Sequence, residues 1–164
     1  MSVTCKEGHI VVAGPADGID FGGVTSCMTI TCILADKSKV AAHDAIDKRV
    51  RPQIIYAIKS RVTALNKGKV ERVIAAGAGS CWTPFLQSQR ELWEGLKKNS
   101  PNLAKLTDMQ ALYQCAPFLI SGSQENKNKF LDILKRDLGA AQTSYTNYDF
   151  GRIQITAGGE LDLG

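Results

Sequence analysis

Apolar positions in this chain follow two periods, and the switches between them set the expected order of elements. His9 to Ala13 is a short β-branched run ended by Gly14-Pro15, and a loop rich in Gly and Asp is expected over Ala16 to Gly23. Thr25 to Ala35 is rich in Thr, Ile, Met and Cys and free of Gly and Pro, which favours a strand with Met28, Ile30, Cys32 and Leu34 on its apolar face. Asp36-Lys37-Ser38-Lys39 reads as a turn and Val40 to Ile46 as the return strand of a hairpin. The period then changes. Pro52 opens a helix, where its missing N–H is harmless; Ile54, Ile55, Ile58, Val62 and Leu65 form one stripe, and Asn66 with Gly68 stops it. Val70 to Ala76 reads as a buried strand running into the small-residue turn Gly77-Ala78-Gly79-Ser80.

A second helix is expected over Pro84 to Lys97, with Phe85, Leu92, Trp93 and Leu96 inward. Within Asn99 to Gln114 the spacing of Leu103, Leu106, Met109 and Leu112 suits a short helix, and Pro117 to Ser121 suits a strand. Glu125 to Leu138 is the clearest helix, with Phe130, Leu131, Leu134 and Leu138 in register and Gly139 at C′. Strands over Gln142 to Tyr148 and Arg152 to Thr156 flank Asp149-Phe150-Gly151, so Gly151 is expected in a tight turn between antiparallel strands. Gly158-Gly159 turns into a last strand, Glu160 to Leu163. Mixed strands and helices with hairpins at both ends make the class α+β, or mixed α/β. With 164 residues, one domain over 1–164 is expected.

Charge and cysteine content narrow the partners. The net charge of +4 is scattered, and its densest cluster, Lys48, Arg49 and Arg51, has no interleaved aromatics, so no nucleic-acid partner is expected. The five cysteines show no CxxC pair and only two histidines accompany them, so neither a metal site nor a disulfide framework is expected. Free thiols, no Sec-type leader in Met1 to Lys6 and no membrane-length apolar run lead to a cytoplasmic expectation without membrane insertion. Secretion as an effector by a route that reads no Sec signal stays open.

Cys27 is the cysteine with a local logic for chemistry. It follows Gly22-Gly23-Val24-Thr25-Ser26 and enters the apolar strand, and His43 lies on the return strand. A thiol beside an imidazole can become a thiolate nucleophile, loop amides can hold an oxyanion, and the hydroxyls of Thr25 and Ser26 add donors. Cys81, in Gly79-Ser80-Cys81-Trp82, copies part of the papain signature, but no histidine follows it; with Cys115 it reads as core. Gly77-Ala78-Gly79 lacks the rest of a phosphate-loop motif and reads as a packing turn. One rival is open. If Lys37-Ser38 were a two-residue turn, Cys32 would lie opposite His43 and Cys27 would face away; a bulge or an odd loop would restore Cys27 to the face of His43.

The ordered pattern Ser26-Cys27, Asp36 to Lys39, Val40-Ala41-Ala42 and His43 resembles that of the chemoreceptor glutamine deamidases (CheD). More distantly it is similar to the catalytic domains of cytotoxic necrotizing factor and Burkholderia lethal factor toxins, whose Leu-Ser-Gly-Cys is echoed by Val24-Thr25-Ser26-Cys27. A second region carries the likeness through Ile120-Ser121-Gly122, Asn126, the helix to Leu138, Gly151-Arg152 and Gly158-Gly159-Glu160-Leu161. The chain departs from that pattern in Ala41-Ala42, where the family favours paired glycines, and in Phe21, near where deamidases carry a threonine. The resemblance implies a central sandwich-like pair of sheets with outer helices. It also implies cofactor-free, cysteine-dependent deamidation of a protein glutamine by Cys27 and His43, with a main-chain carbonyl orienting the imidazole in some relatives. The implied partner is a glutamine-bearing protein: a chemoreceptor in chemotaxis, or a host protein for a toxin-like effector. A transglutaminase using the same site and a non-catalytic binding module with the same fold are the alternatives.

Overall fold

The structure is a computed structural model that describes residues 1–44, 54–77 and 124–164. The strands are β1 (Ser2–Thr4), β2 (Ile10–Ala13), β3 (Gly18–Val24), β4 (Met28–Leu34), β5 (Lys39–Asp44), β6 (Val70–Gly77), β7 (Gln142–Asn147), β8 (Gly151–Ile155) and β9 (Leu161–Leu163); the helices are α1 (Ile54–Leu65) and α2 (Gln124–Leu138). The expected elements at Pro84 to Lys97, Asn99 to Gln114 and Pro117 to Ser121 lie outside the described residues, as do Pro52, the Lys48–Arg51 cluster, Cys81 and Cys115.

Two sheets form, ordered β1-β3-β8-β9 and β2-β5-β4-β6-β7. Ile19, Phe21, Val24, Ile153 and Ile155 of the first pack against Ile33, Ala41, Ile74 and Ala76 of the second. The other face of the five-stranded sheet, with Met28, Ile30, Cys32, Leu34, Val40 and Ala42, packs against Ile55 and Ile58 of α1 and Leu134 and Leu138 of α2. The expected α+β class therefore takes the form of sheet, sheet and helices in three layers. All seven residues of β4 are buried because this strand is covered on both faces and flanked by β5 and β6. Thr29 is tolerated there because its hydroxyl donates to the Ala76 carbonyl at 2.7 Å.

The hairpin between β4 and β5 closes on three residues, not two. Leu34 N–H donates to Ser38 O at 2.9 Å and Lys37 N–H to Leu34 O at 2.8 Å, leaving Ala35-Asp36-Lys37 as the loop. Lys37 takes a left-handed conformation, φ 71°, and Asp36 Oδ1 accepts from both the Ser38 N–H and its hydroxyl. The register becomes Cys32↔Val40 and Thr29↔His43. Lys39, fully buried, donates to the carbonyls of Asp17 at 2.9 Å, Lys37 at 3.2 Å and Pro15 at 3.4 Å, so its charge is solvated by main chain.

Two expectations are corrected. The loop expected over Ala16 to Gly23 is largely the strand β3: Ile19, Phe21 and Val24 are buried, and pairing with β8 outweighs the low strand preference of glycine. Gly18 is needed in it, because a Cβ there would stand 2.6 Å from the Ile155 carbonyl. Register slips by one between Asp20 and Gly22, and Gly22 adopts φ 70°. The second correction concerns Gly151, which does not join two paired strands. β7 runs parallel to β6 in the five-stranded sheet, whereas β8 pairs with β3 and β9 in the other. Tyr148 to Phe150 carry the chain between sheets, and Gly151 opens β8, where a Cβ would strike the Tyr148 hydroxyl. The closing hairpin is as expected, with Thr156 N–H on Glu160 O at 2.8 Å.

The helix stops also follow the sequence. Asn66 and Gly68 take φ 50° and 87° after α1. Gly139, φ 66°, follows α2, and Ala140 N–H reaches back to Lys135 O at 3.0 Å in the six-to-one bond of a Schellman turn. A Cβ at Gly139 would meet nothing within 4 Å, so substitution isolates the backbone cost. Gly139→Ala should lower the unfolding free energy by about 1 kcal/mol, and Gly139→Asn by less, measured by urea denaturation.

Candidate active site

Three crossings between the sheets meet at one end of the sandwich. Cys5 to His9 lead from β1 to β2, Thr25 to Cys27 from β3 to β4, and Tyr148 to Phe150 from β7 to β8. β5 and β6 end there too, at Asp44 and Gly77, paired with opposite sides of Met28. Side chains alternate along a strand, so the odd hairpin loop puts Cys27, Thr29, Ala41 and His43 on the inter-sheet side. Cys27 thus lies diagonally across from His43 on one face, two residues before Thr29, the direct partner of His43. Cys32 is on the opposite face among the helix-facing residues, where burial pushes its thiol up to about 12. The rival pairing of Cys32 with His43 is therefore overturned.

His43 is held by main chain on three sides. Its N–H donates to His9 O at 3.1 Å, its carbonyl accepts from Gly8 N–H at 2.7 Å, and Nδ1 lies 3.0 Å from Cys5 O. A carbonyl only accepts, so Nδ1 carries the proton and Nε2 carries the lone pair. That nitrogen is buried and has no hydrogen-bond partner among the described residues. The ring meets Phe21 edge-on, with centroids 5.9 Å apart and planes at 84°. Cys5 itself is pinned: its N–H donates to Asp20 O at 2.9 Å, and its thiol lies 3.5 Å from His9 O and 3.8 Å from Ala41 O.

Cys27 is buried, and its thiol is raised, first by burial, then by the negative charge of Glu7 and, less, of Asp44; hydrogen bonds from the Ser26 N–H and hydroxyl act the other way. The surroundings of Cys27 therefore favour the neutral thiol over the thiolate expected beside a histidine. A thiol in that state can act as a nucleophile only with a general base, the proton leaving sulfur as sulfur attacks. The donor set also differs from expectation. Gly22 and Gly23 belong to β3, and Gly22 N–H is taken by Asp20 Oδ1 at 2.9 Å, so no free glycine loop supplies an oxyanion site from that amide. Ser26 serves the sulfur directly, while Thr25 is exposed on the rim.

Gly77 braces the backbone of Cys27 and Met28. A Cβ there would collide with the Cys27 carbonyl oxygen and come within 2.9 Å of Met28 Cα, while its own carbonyl accepts from Tyr148 N–H at 2.9 Å and the Tyr145 hydroxyl at 3.4 Å. Sequence reasoning missed Cys5, Glu7 and Gly77 as parts of this site. The Cys5 and Gly77 contributions are main-chain contacts, which leave no residue-type signal. Phe21 was visible only as a departure from the deamidase pattern, and it proves to be the ring against His43.

Two outcomes are expected. Gly77→Ala should displace Cys27, costing about 2 kcal/mol or more in urea unfolding, with an altered Cys27 alkylation rate by site-resolved mass spectrometry. The thiols of Cys5, Cys27 and Cys32 are all raised, Cys5 to about 11. The native state holds these protons to higher pH than the unfolded chain, so their contribution is complete below about pH 8 and is lost as pH rises beyond the ordinary thiol value of about 8.5. The urea midpoint should fall between pH 8 and pH 10.5, and Cys32→Ala should flatten that fall.

Among the described residues, no group of three or more His, Cys, Asp or Glu is placed to hold a metal ion, and no helix is long and apolar enough to cross a membrane. Compared with known proteins, the chain matches no family model and no curated protein.

Proposed function

We propose that this protein is a cysteine-dependent protein-glutamine deamidase. The observation that carries the reading is the His43 imidazole, oriented by the Cys5 carbonyl at Nδ1, with Nε2 unpartnered among the described residues, on the same inter-sheet face as Cys27. A histidine locked in that tautomer is prepared to take a thiol proton.

Sγ of Cys27 bonds to the carboxamide carbon of a substrate glutamine while Nε2 of His43 takes the thiol proton. The tetrahedral intermediate collapses with cleavage of C–N, and His43 returns the proton to the departing ammonia. Water then adds to the thioester, giving its proton to Nε2. Cleavage of C–S releases glutamate, and the proton restores the thiol. One water enters and one ammonia leaves, with no cofactor in the balance. An amine in place of water would make the same thioester a transglutaminase intermediate. The likeness to the chemoreceptor deamidases and the toxin domains supports a glutamine-bearing protein as substrate.

One observation favours the other reading, a binding module that keeps the fold: the Cys27 thiol is buried, and its surroundings disfavour the thiolate. Mutagenesis separates the two. Cys27→Ser should keep the wild-type melting temperature, His43→Ala should lower it by opening a cavity beside Phe21 and leaving the Cys5 carbonyl unpaired, and each should lower ammonia release from protein substrates by about 10⁴-fold. Proteins incubated with the wild type should gain about 1 Da at single glutamines, the mass change of NH₂ replaced by OH. A Cys27→Ser protein that folds and retains its full effect would establish the binding module instead.

A further inference from the structure

We infer that the mouth of the Cys27–His43 site accepts a cationic side chain flanking the target glutamine, and that Glu7 is the residue that reads it. Glu7 lies in the bend that crosses from β1 to β2. Its own carbonyl accepts from His9 Nδ1 at 3.0 Å, and the next residue, Gly8, donates to the His43 carbonyl at 2.7 Å. The Glu7 main chain is thereby held next to the residue that grips the His43 carbonyl, and its side chain extends from that bend. Glu7 is exposed and makes no ion pair among the described residues, whereas Asp20 at the same end is neutralised by Arg152. Across the bond from Gly8, His43 is only 3% exposed, and Nε2 has no partner among the described residues. An exposed carboxylate with no ion pair among the described residues, next to a buried imidazole nitrogen with no partner among them, favours a ligand that carries positive charge. Among the described residues, the charges that act on the Cys27 thiol are those of Glu7 and Asp44, both negative.

The whole-molecule charge makes the inference specific. At +4 the protein as a whole attracts anions, so a preference for cations at Cys27 would be local. For a protein substrate, the ligand chemistry is Lys or Arg within one or two residues of the glutamine, the ammonium or guanidinium pairing with Glu7 while the carboxamide reaches Cys27. The glutamine half of this statement rests on the deamidase reading; the cation half does not.

The full-length protein is treated with two methanethiosulfonate reagents, one bearing trimethylammonium and one bearing sulfonate, and the modification rate at Cys27 is read by site-resolved mass spectrometry. Relative to their rates on free cysteine, the cationic reagent should be favoured about five- to tenfold, the size of effect one unit charge has within a Debye length, and less in high salt. Glu7→Gln, a change of charge at an exposed position, should bring the ratio close to one without moving the melting temperature. A wild-type ratio near one, or a ratio that Glu7→Gln leaves unchanged, overturns the inference. In a second arm, two peptides that differ only in Lys or Glu beside the same glutamine are compared for the 1 Da gain (about, from NH₂ to OH). Faster reaction of the Lys peptide, lost in Glu7→Gln, supports the inference, and faster reaction of the Glu peptide refutes it. If neither peptide reacts while the reagent ratio behaves as expected, the cation subsite stands and the deamidase reading falls.

Discussion

Strand β4 has no solvent face, and the placement of both cores among the described residues depends on that constraint. Its even positions meet the helices and its odd positions meet the four-stranded sheet. A slip of one residue would send Met28, Ile30, Cys32 and Leu34 into the inter-sheet layer and exchange two cores at once. The loop Ala35-Asp36-Lys37 prevents the slip by fixing the pairing with β5. A choice between two and three turn residues thus decides which cysteine shares a face with His43.

The end of the sandwich where the chain changes sheets has different physics from the hairpin end. Strand ladders give way there to single bonds, from the Gly8 N–H to the His43 carbonyl, from the His43 ring to the Cys5 carbonyl and from the Tyr148 N–H to the Gly77 carbonyl. Backbone polar groups that would otherwise be orphaned are satisfied by one another, and the imidazole is oriented as a by-product of that satisfaction. The same arrangement leaves Nε2 open, since the crossings supply carbonyls to Nδ1 and nothing to the far nitrogen. Polarity at the site therefore comes from the backbone, with Glu7 and Ser26 adding charge and hydroxyl.

Much of this architecture is legible in the residues. The stripe of Ile54, Ile55, Ile58, Val62 and Leu65 is the buried side of α1, Gly139 is the stop of α2, and the β-branched runs are strands. The Cys27 and His43 pairing is legible as a choice between two registers. What fails to show is of three kinds. β3 is masked by Gly18, Gly22 and Gly23, whose weak strand preference hides the buried Ile19, Phe21 and Val24. Sheet membership is invisible for β7 and β8, because adjacent strands look the same whether they pair or part. The hold on His43 comes from carbonyls and amides, and these are common to every residue type.

Lys39 extends these relations to the opposite end of the hairpin. An ammonium has three protons, and here three carbonyls take them, from Pro15, Asp17 and Lys37. It acts as a built-in counterion, occupying the role a bound cation has in other loops, but it is tethered and so cannot be chelated or exchanged. Burial lowers its proton affinity, while the charge of Asp17 partly restores it. Acylating enzymes and amine reagents have no path to that nitrogen in the folded chain. Neutralising it during synthesis, before the hairpin closes, would leave three carbonyls competing for a partner at the point that sets the register.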